Sequence, residues 1–140
     1  VSVGAVQEEV MKAGLLGEMI GIAFQIKDDI FDYFKEANIG KPTGNDIREG
    51  KVTLPLLYAL RQGREEEAAR YLDMILRKDF AAENVDSLIE FAKANGGIEY
   101  AEARMKEYHD KAVDVLLRLP ESEARTSLIQ LADYIMTRSK

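Results

Sequence analysis

From Gly17 to Phe34 the chain reads GEMIGIAFQIKDDIFDYF, and no other stretch limits the fold so strongly. At 3.6 residues per turn, Met19, Ile20, Ile22, Ala23, Phe24, Ile26, Ile30, Phe31, Tyr33 and Phe34 point in nearly every direction around a helix. Such a helix must be covered on most sides, which demands other elements packed around it. Yet Gln25, Asp28, Asp29 and Asp32 fall at i, i+3, i+4 and i+7, which is one stripe. Asp28 and Asp32, stacked a turn apart, disfavour the isolated helix by a few tenths of a kcal/mol. Burial of these acids without a counter-charge costs far more.

Helical spacing dominates the rest of the chain, and strand-like alternation is hard to find. Only three prolines occur, Pro42, Pro55 and Pro120. The first helix is predicted over Gln7–Lys35, with an irregularity near Gly14 and Gly17. The polar, Gly-rich stretch Asn38–Lys51 reads as a loop. Helices are predicted over Leu54–Arg61, Glu65–Lys78 and Ala82–Ala94, the last with Asn95-Gly96-Gly97 as its stop. Two more follow, over Ile98–Leu119 and from Pro120-Glu121-Ser122 to Thr137, proline suiting a first helical turn. The expected class is all-α, and 140 residues suggest a single core.

Composition narrows the function. With 46% hydrophobic and 31% charged residues the chain is a globular sequence. A net charge of −6 argues against a nucleic-acid surface, which needs clustered Lys and Arg. Cysteine is absent and histidine occurs once, which excludes thiolate metal sites and histidine pairs within the chain. No run is long and apolar enough to span a membrane, and a cytoplasmic protein is expected. The opening VSVGAVQEEV has neither Met nor a helix cap, so the chain looks cut from something longer.

The acidic stripe fits two readings: a solvated acidic face, or carboxylates gathered for a cation. With no nitrogen or sulfur donor nearby, the cation would be hard, Mg²⁺ or Mn²⁺ and not Zn²⁺. The loop NIGKPTGNDIREGK places Lys41 and Lys51 on either side of Asp46, among glycines 40, 44 and 50. Glycine lets a backbone approach an anion, and lysine is a compact phosphate donor. A basic loop directly after an acidic stripe is what a Mg²⁺–diphosphate site requires; a plain surface loop is the other reading. His109, Tyr100, Tyr108, Tyr134 and Phe91 are read as packing residues, and Arg64-Glu65-Glu66-Glu67 as a solvated helix start.

FQIKDDIFDYF followed by GKPTGNDIREGKVTLPLLYAL resembles the second aspartate-rich region of the trans-type polyprenyl diphosphate synthases. The matching residues run Phe24-Gln25, Asp28-Asp29-x-x-Asp32, Gly40-Lys41, Asp46, Lys51 and Thr53-Leu54-Pro55. The resemblance continues through Gly96-Gly97-Ile98-Glu99-Tyr100-Ala101 to Leu131-Ala132-Asp133-Tyr134. The GKPTGND spacing is more similar to bacterial octaprenyl, geranylgeranyl and farnesyl-type members than to animal farnesyl synthases.

This resemblance implies an all-α bundle, the chain being its C-terminal half. Facing aspartate motifs would share Mg²⁺ ions, the allylic diphosphate would ionise, and isopentenyl diphosphate would be alkylated. It implies Asp28 as principal metal ligand, supported by Asp29 and Asp32. Lys41 and Lys51 would contact diphosphate, Gln25 would line the site, and Arg138 and Lys140 would form a closing basic tail. The parent would be a homodimer. The family's first DDxxD motif and upstream basic residues have no counterpart here, so the fragment alone is expected to be inert. Two alternatives stand beside this reading: a non-catalytic helical partner subunit, and a class I terpene cyclase fragment.

Overall fold

A computed structural model describes the backbone of residues 3–34 and 43–138, and their side chains except at 3–6 and 8–10. It is all-α: α1 (Val3–Phe31), α2 (Asn45–Arg48), α3 (Leu54–Gln62), α4 (Glu65–Leu76), α5 (Ala82–Ala94), α6 (Gly97–Leu117) and α7 (Glu123–Thr137). No strand occurs among the described residues, nor any helix long and apolar enough to cross a membrane. Where length suggested a single core, the residues divide into two compact units. One comprises 1–27 with 104–139, the other 28–103, so the boundaries fall within α1 and within α6.

In the first unit, buried Leu16, Ala112 and Leu116 gather Met19, Ile20, Leu119, Leu128 and Ile129 around them. α1 runs unbroken past Gly14 and Gly17, contrary to the irregularity expected there. Of the apolar residues from Gly17 onward, Ala23 and Ile26 are buried here as expected and Phe24 is exposed; Met11 and Leu15, earlier in the helix, are exposed as well. Tyr134, read as core, lies 62% exposed on α7. α7 starts at Glu123 and not at the proline, because the Ser122 hydroxyl caps it by accepting the Arg125 N–H at 3.1 Å. Such a cap is worth about 1 kcal/mol.

His109 ties α6 to α7. Its Nε2 lies 2.7 Å from Asp133 Oδ1, and its Nδ1 lies 3.0 Å from Asp110 Oδ1. Burial opposes a charge on the ring, yet the carboxylates outweigh it and its pKa is raised. A raised folded-state pKa gives stability that is complete below the unfolded value of 6.5 and lost as pH rises through the folded value. Replacing His109 by Gln should therefore cost up to about 1 kcal/mol near pH 6 and little near pH 9. Denaturant unfolding across that range checks it; an equal cost at both ends would contradict the pairing.

The second unit packs α3 against α5 and α4. Leu56, Ala59, Val85, Leu88, Phe91 and Ala92 are buried there. Tyr58 stacks on Tyr100 with ring centroids 4.2 Å apart and planes 9° from parallel. At Gly97 the start of α6 passes so close to the start of α3 that an added Cβ would lie 2.3 Å from the Pro55 carbonyl oxygen.

Candidate functional site

The site begins where α1 ends. Tyr33 N–H bonds the Ile30 carbonyl at 3.1 Å and Phe34 N–H bonds that of Phe31 at 3.1 Å. This i→i−3 tightening closes the helix at Phe31, four residues before the predicted end. Asp28 and Asp29 thus occupy its last turn and are half-buried. Asp32 leaves the stripe and lies in the turn beyond, 7% exposed. The last turn has no basic residue of its own. Acids at this end face the negative pole of the helix dipole, at a cost of about 0.3–1 kcal/mol each.

Asp32 gathers the chain returning from the loop. Its carbonyl accepts the Gly44 N–H at 2.9 Å, its Oδ1 the Asn45 N–H at 2.9 Å and its Oδ2 the Asp46 N–H at 3.1 Å. The described ends of the loop therefore meet at this residue. Burial raises the Asp32 carboxyl above the usual carboxylate range; the Asp46 amide works against this and the Asp46 carboxylate adds to it. Gly44 holds φ at 78°, and a Cβ there would fall 2.4 Å from Val85 Cγ1, so glycine meets two demands at once. From Gly44 the chain enters α2, a four-residue helix inside the predicted loop, seated by Ile47 at 2% exposure.

Lys51 follows α2. Its N–H donates to the Asp46 carbonyl at 2.8 Å, and its exposed ammonium pairs with Glu49 at 3.3 Å. Tyr33, 1% exposed, sets its hydroxyl 2.9 Å from Thr53 Oγ1 ahead of α3. Burial pushes its phenol well above the ordinary range, keeping it neutral. Sequence reading missed this tyrosine and the α2 turn; the adjacent Gly44-Asn45 pair was the available signal.

Asp28, Asp29, Asp32 and Lys51 all belong to the second unit. Gln25 is exposed on α1 in the first unit. There Arg138 lies with its guanidinium 4.2 Å above the Phe24 ring. Lys41 and Lys140 fall outside the described residues. Among those described, no three histidine or carboxylate side chains form a metal cage. The donor chemistry of Asp28, Asp29 and Asp32 still suits a hard cation, since carboxylate oxygens are hard ligands. Mg²⁺ commonly takes one or two carboxylates and completes its shell with water and phosphate oxygens.

Residues 1–92 match the polyprenyl synthetase family. The chain is 40% identical to the octaprenyl diphosphate synthase of Haemophilus influenzae over 124 residues, covering 88% of this chain and 37% of that protein. Among solved structures it is similar to geranylgeranyl pyrophosphate synthase from Bacteroides thetaiotaomicron. There the TM-score is 0.85 at 46% identity, over 94% of this chain and 42% of the other. It is also similar to a polyprenyl synthase from Caulobacter crescentus complexed with calcium and isoprenyl diphosphate. That match has a TM-score of 0.78 at 33% identity, over 89% of this chain and 38% of the other. The chain spans roughly two fifths of the length of these relatives. The chain belongs to the polyprenyl synthetase family.

Proposed function

We propose that this chain supplies the second metal-binding region of a Mg²⁺-dependent polyprenyl diphosphate synthase, with Mn²⁺ able to replace Mg²⁺. Asp28 and Asp29 would hold the cation, and Lys41 and Lys51 would contact the diphosphate of an allylic substrate. One observation carries this reading. Two half-buried carboxylates sit at the wrong end of a helix dipole, and the turn leading to Lys51 is fastened to the next acid along. A divalent cation and an anionic group beside it would offset the cost of holding carboxylates at that end of the helix. A family relative complexed with calcium and isoprenyl diphosphate supports the pairing of a divalent ion with this substrate class.

In the proposed reaction the C1–O bond of the allylic diphosphate breaks and its electron pair leaves with the diphosphate. The double bond of isopentenyl diphosphate attacks the allylic cation, and loss of a proton completes a chain longer by one isoprene unit. A bound divalent cation would stabilise the negative charge gathering on the departing group. Lys51 would add a mobile positive charge to the same anion by exchanging its pairing with Glu49. Neutral Tyr33 would contribute no competing charge beneath the acids.

Product analysis tests the proposal. The complete enzyme carrying this chain, given isopentenyl diphosphate and geranyl or farnesyl diphosphate, should release elongated product with Mg²⁺ and none after chelation by EDTA. Undiminished elongation in excess chelator, or cyclised hydrocarbon without consumption of isopentenyl diphosphate, would overturn it.

A further inference from the structure

Asp32 is grouped with the metal ligands by its spacing in sequence, but its surroundings are those of a different role. The side chain is 7% exposed, and its two oxygens are taken by consecutive amides, Asn45 N–H at 2.9 Å and Asp46 N–H at 3.1 Å. Two amide dipoles therefore converge on the carboxylate with their positive ends foremost. Each oxygen keeps a second lone-pair direction, but a cation there would lie near the positive ends of the amides, which weakens its binding relative to Asp28 and Asp29.

The same contacts lead to Lys51. Asp46 receives the carboxylate on its N–H and offers its carbonyl to the Lys51 N–H at 2.8 Å. Between them the Gly50 N–H closes on the Ile47 carbonyl at 2.9 Å, and buried Ile47 locks the turn to the core. The path from Asp32 to the Lys51 backbone is thus two hydrogen bonds long and buried at its start. Beyond it the lysine side chain is exposed, and among the described residues its ion-pair partner is the exposed Glu49, so an incoming anion can reach it.

We propose that Asp32 is a positioning residue for Lys51, acting through the α2 turn, and that it does not ligate the catalytic cation. This inference rests on the diphosphate reading of the site given above. Supporting groups of this kind typically change activity by about 10–100-fold when removed.

A double-mutant cycle in the complete enzyme tests it, with Mg²⁺ dependence as a second readout. Asp32→Asn should lower kcat/KM for the allylic diphosphate by about tenfold or more. The Mg²⁺ concentration for half-maximal activity should stay within about twofold of wild type. In a Lys51→Ala background the same change should add no more than about twofold, since the residue it positions is gone. Fully additive losses, or a Mg²⁺ requirement raised as far as in Asp28→Asn, would overturn the inference and return Asp32 to the ligands. If Asp28→Asn itself left activity and Mg²⁺ dependence untouched, the site reading would fail, a distinct result. Circular dichroism checks that each variant folds. Hydrogen exchange on the unmodified protein provides a test free of variants. Asn45 and Asp46 amides should exchange at least about tenfold slower than open loop amides, and unprotected rates would overturn the staple.

Discussion

In the complete enzyme, Asp28→Ala is expected to lower kcat by ~10²-fold or more, with a much smaller change in KM for the allylic substrate. A cation held there would act chiefly as charge develops on the leaving diphosphate, so its loss would fall on the transition state. The loss corresponds to ~3 kcal/mol, the usual cost of removing one preorganised electrostatic stabiliser. Position favours this outcome. Asp28 and Asp29 occupy the last turn of α1, half-buried, where the dipole penalises acids and no basic residue of that turn offsets them. Lys41→Ala should behave differently, raising KM for the allylic diphosphate along with some loss of kcat, because its contact would exist before ionisation as well as during it. Steady-state kinetics on folded variants decides the matter. Near-normal turnover in Asp28→Ala would reduce the acidic pair to a helix surface.

Gly97→Ala should be among the most destabilising single changes in the chain. Alanine is the better helix former by about 1 kcal/mol, so propensity alone favours the substitution. Sterics oppose it decisively. The new Cβ would lie 2.3 Å from the Pro55 carbonyl oxygen and 2.7 Å from that of Ala92. Both are backbone atoms, which cannot rotate aside, so α6 and α3 must separate and loosen the stacked Tyr58–Tyr100 pair. A net loss of about 3 kcal/mol, at the upper end for overpacking, is expected. Gly14→Ala gives the opposite sign, because nothing lies within 4 Å of its added Cβ in α1. A gain of about 0.5–1 kcal/mol should follow. Chemical denaturation of both variants measures the contrast, and equal midpoints would contradict the close approach.

Local signals carried much of the fold and little of the site's detail. The predicted bounds of α5 coincide with Ala82–Ala94, because Asn95-Gly96-Gly97 is a local stop and Gly96 takes φ 76° there. The end of α1 is another matter. Its apolar pattern runs on through Phe34, yet the helix stops at Phe31, where Asp32 takes the amides of Gly44, Asn45 and Asp46 from more than ten residues away. No periodicity in the helix could announce that competition. α2 was hidden for a related reason: its four residues are held by the burial of Ile47, and a stretch that short has no helical signal of its own. Proline at 120 was misleading because Ser122 is the stronger cap. The division into two units also escaped prediction, since α3, α4 and α5 collect around Leu56, Leu88 and Phe91 apart from the Leu16–Leu116 cluster. The acidic pair and Lys51, by contrast, could be singled out as candidates without tertiary context, because a carboxylate on an apolar helix and a lysine among glycines each carry a chemical meaning of their own; the roles given to them are proposals.

Whether Asp28 and Asp29 bind a divalent cation together with diphosphate is settled by calorimetry. Mg²⁺ should be titrated into the complete enzyme alone, then with inorganic pyrophosphate present, and again in Asp28→Ala. Binding should be weak with the metal alone, because Mg²⁺ gives up water reluctantly and commonly completes its shell with phosphate oxygens. It should tighten at least about tenfold with pyrophosphate, and the gain should vanish in Asp28→Ala. Mg²⁺ binding that ignores pyrophosphate, or coupling that survives the loss of Asp28, would contradict the claim.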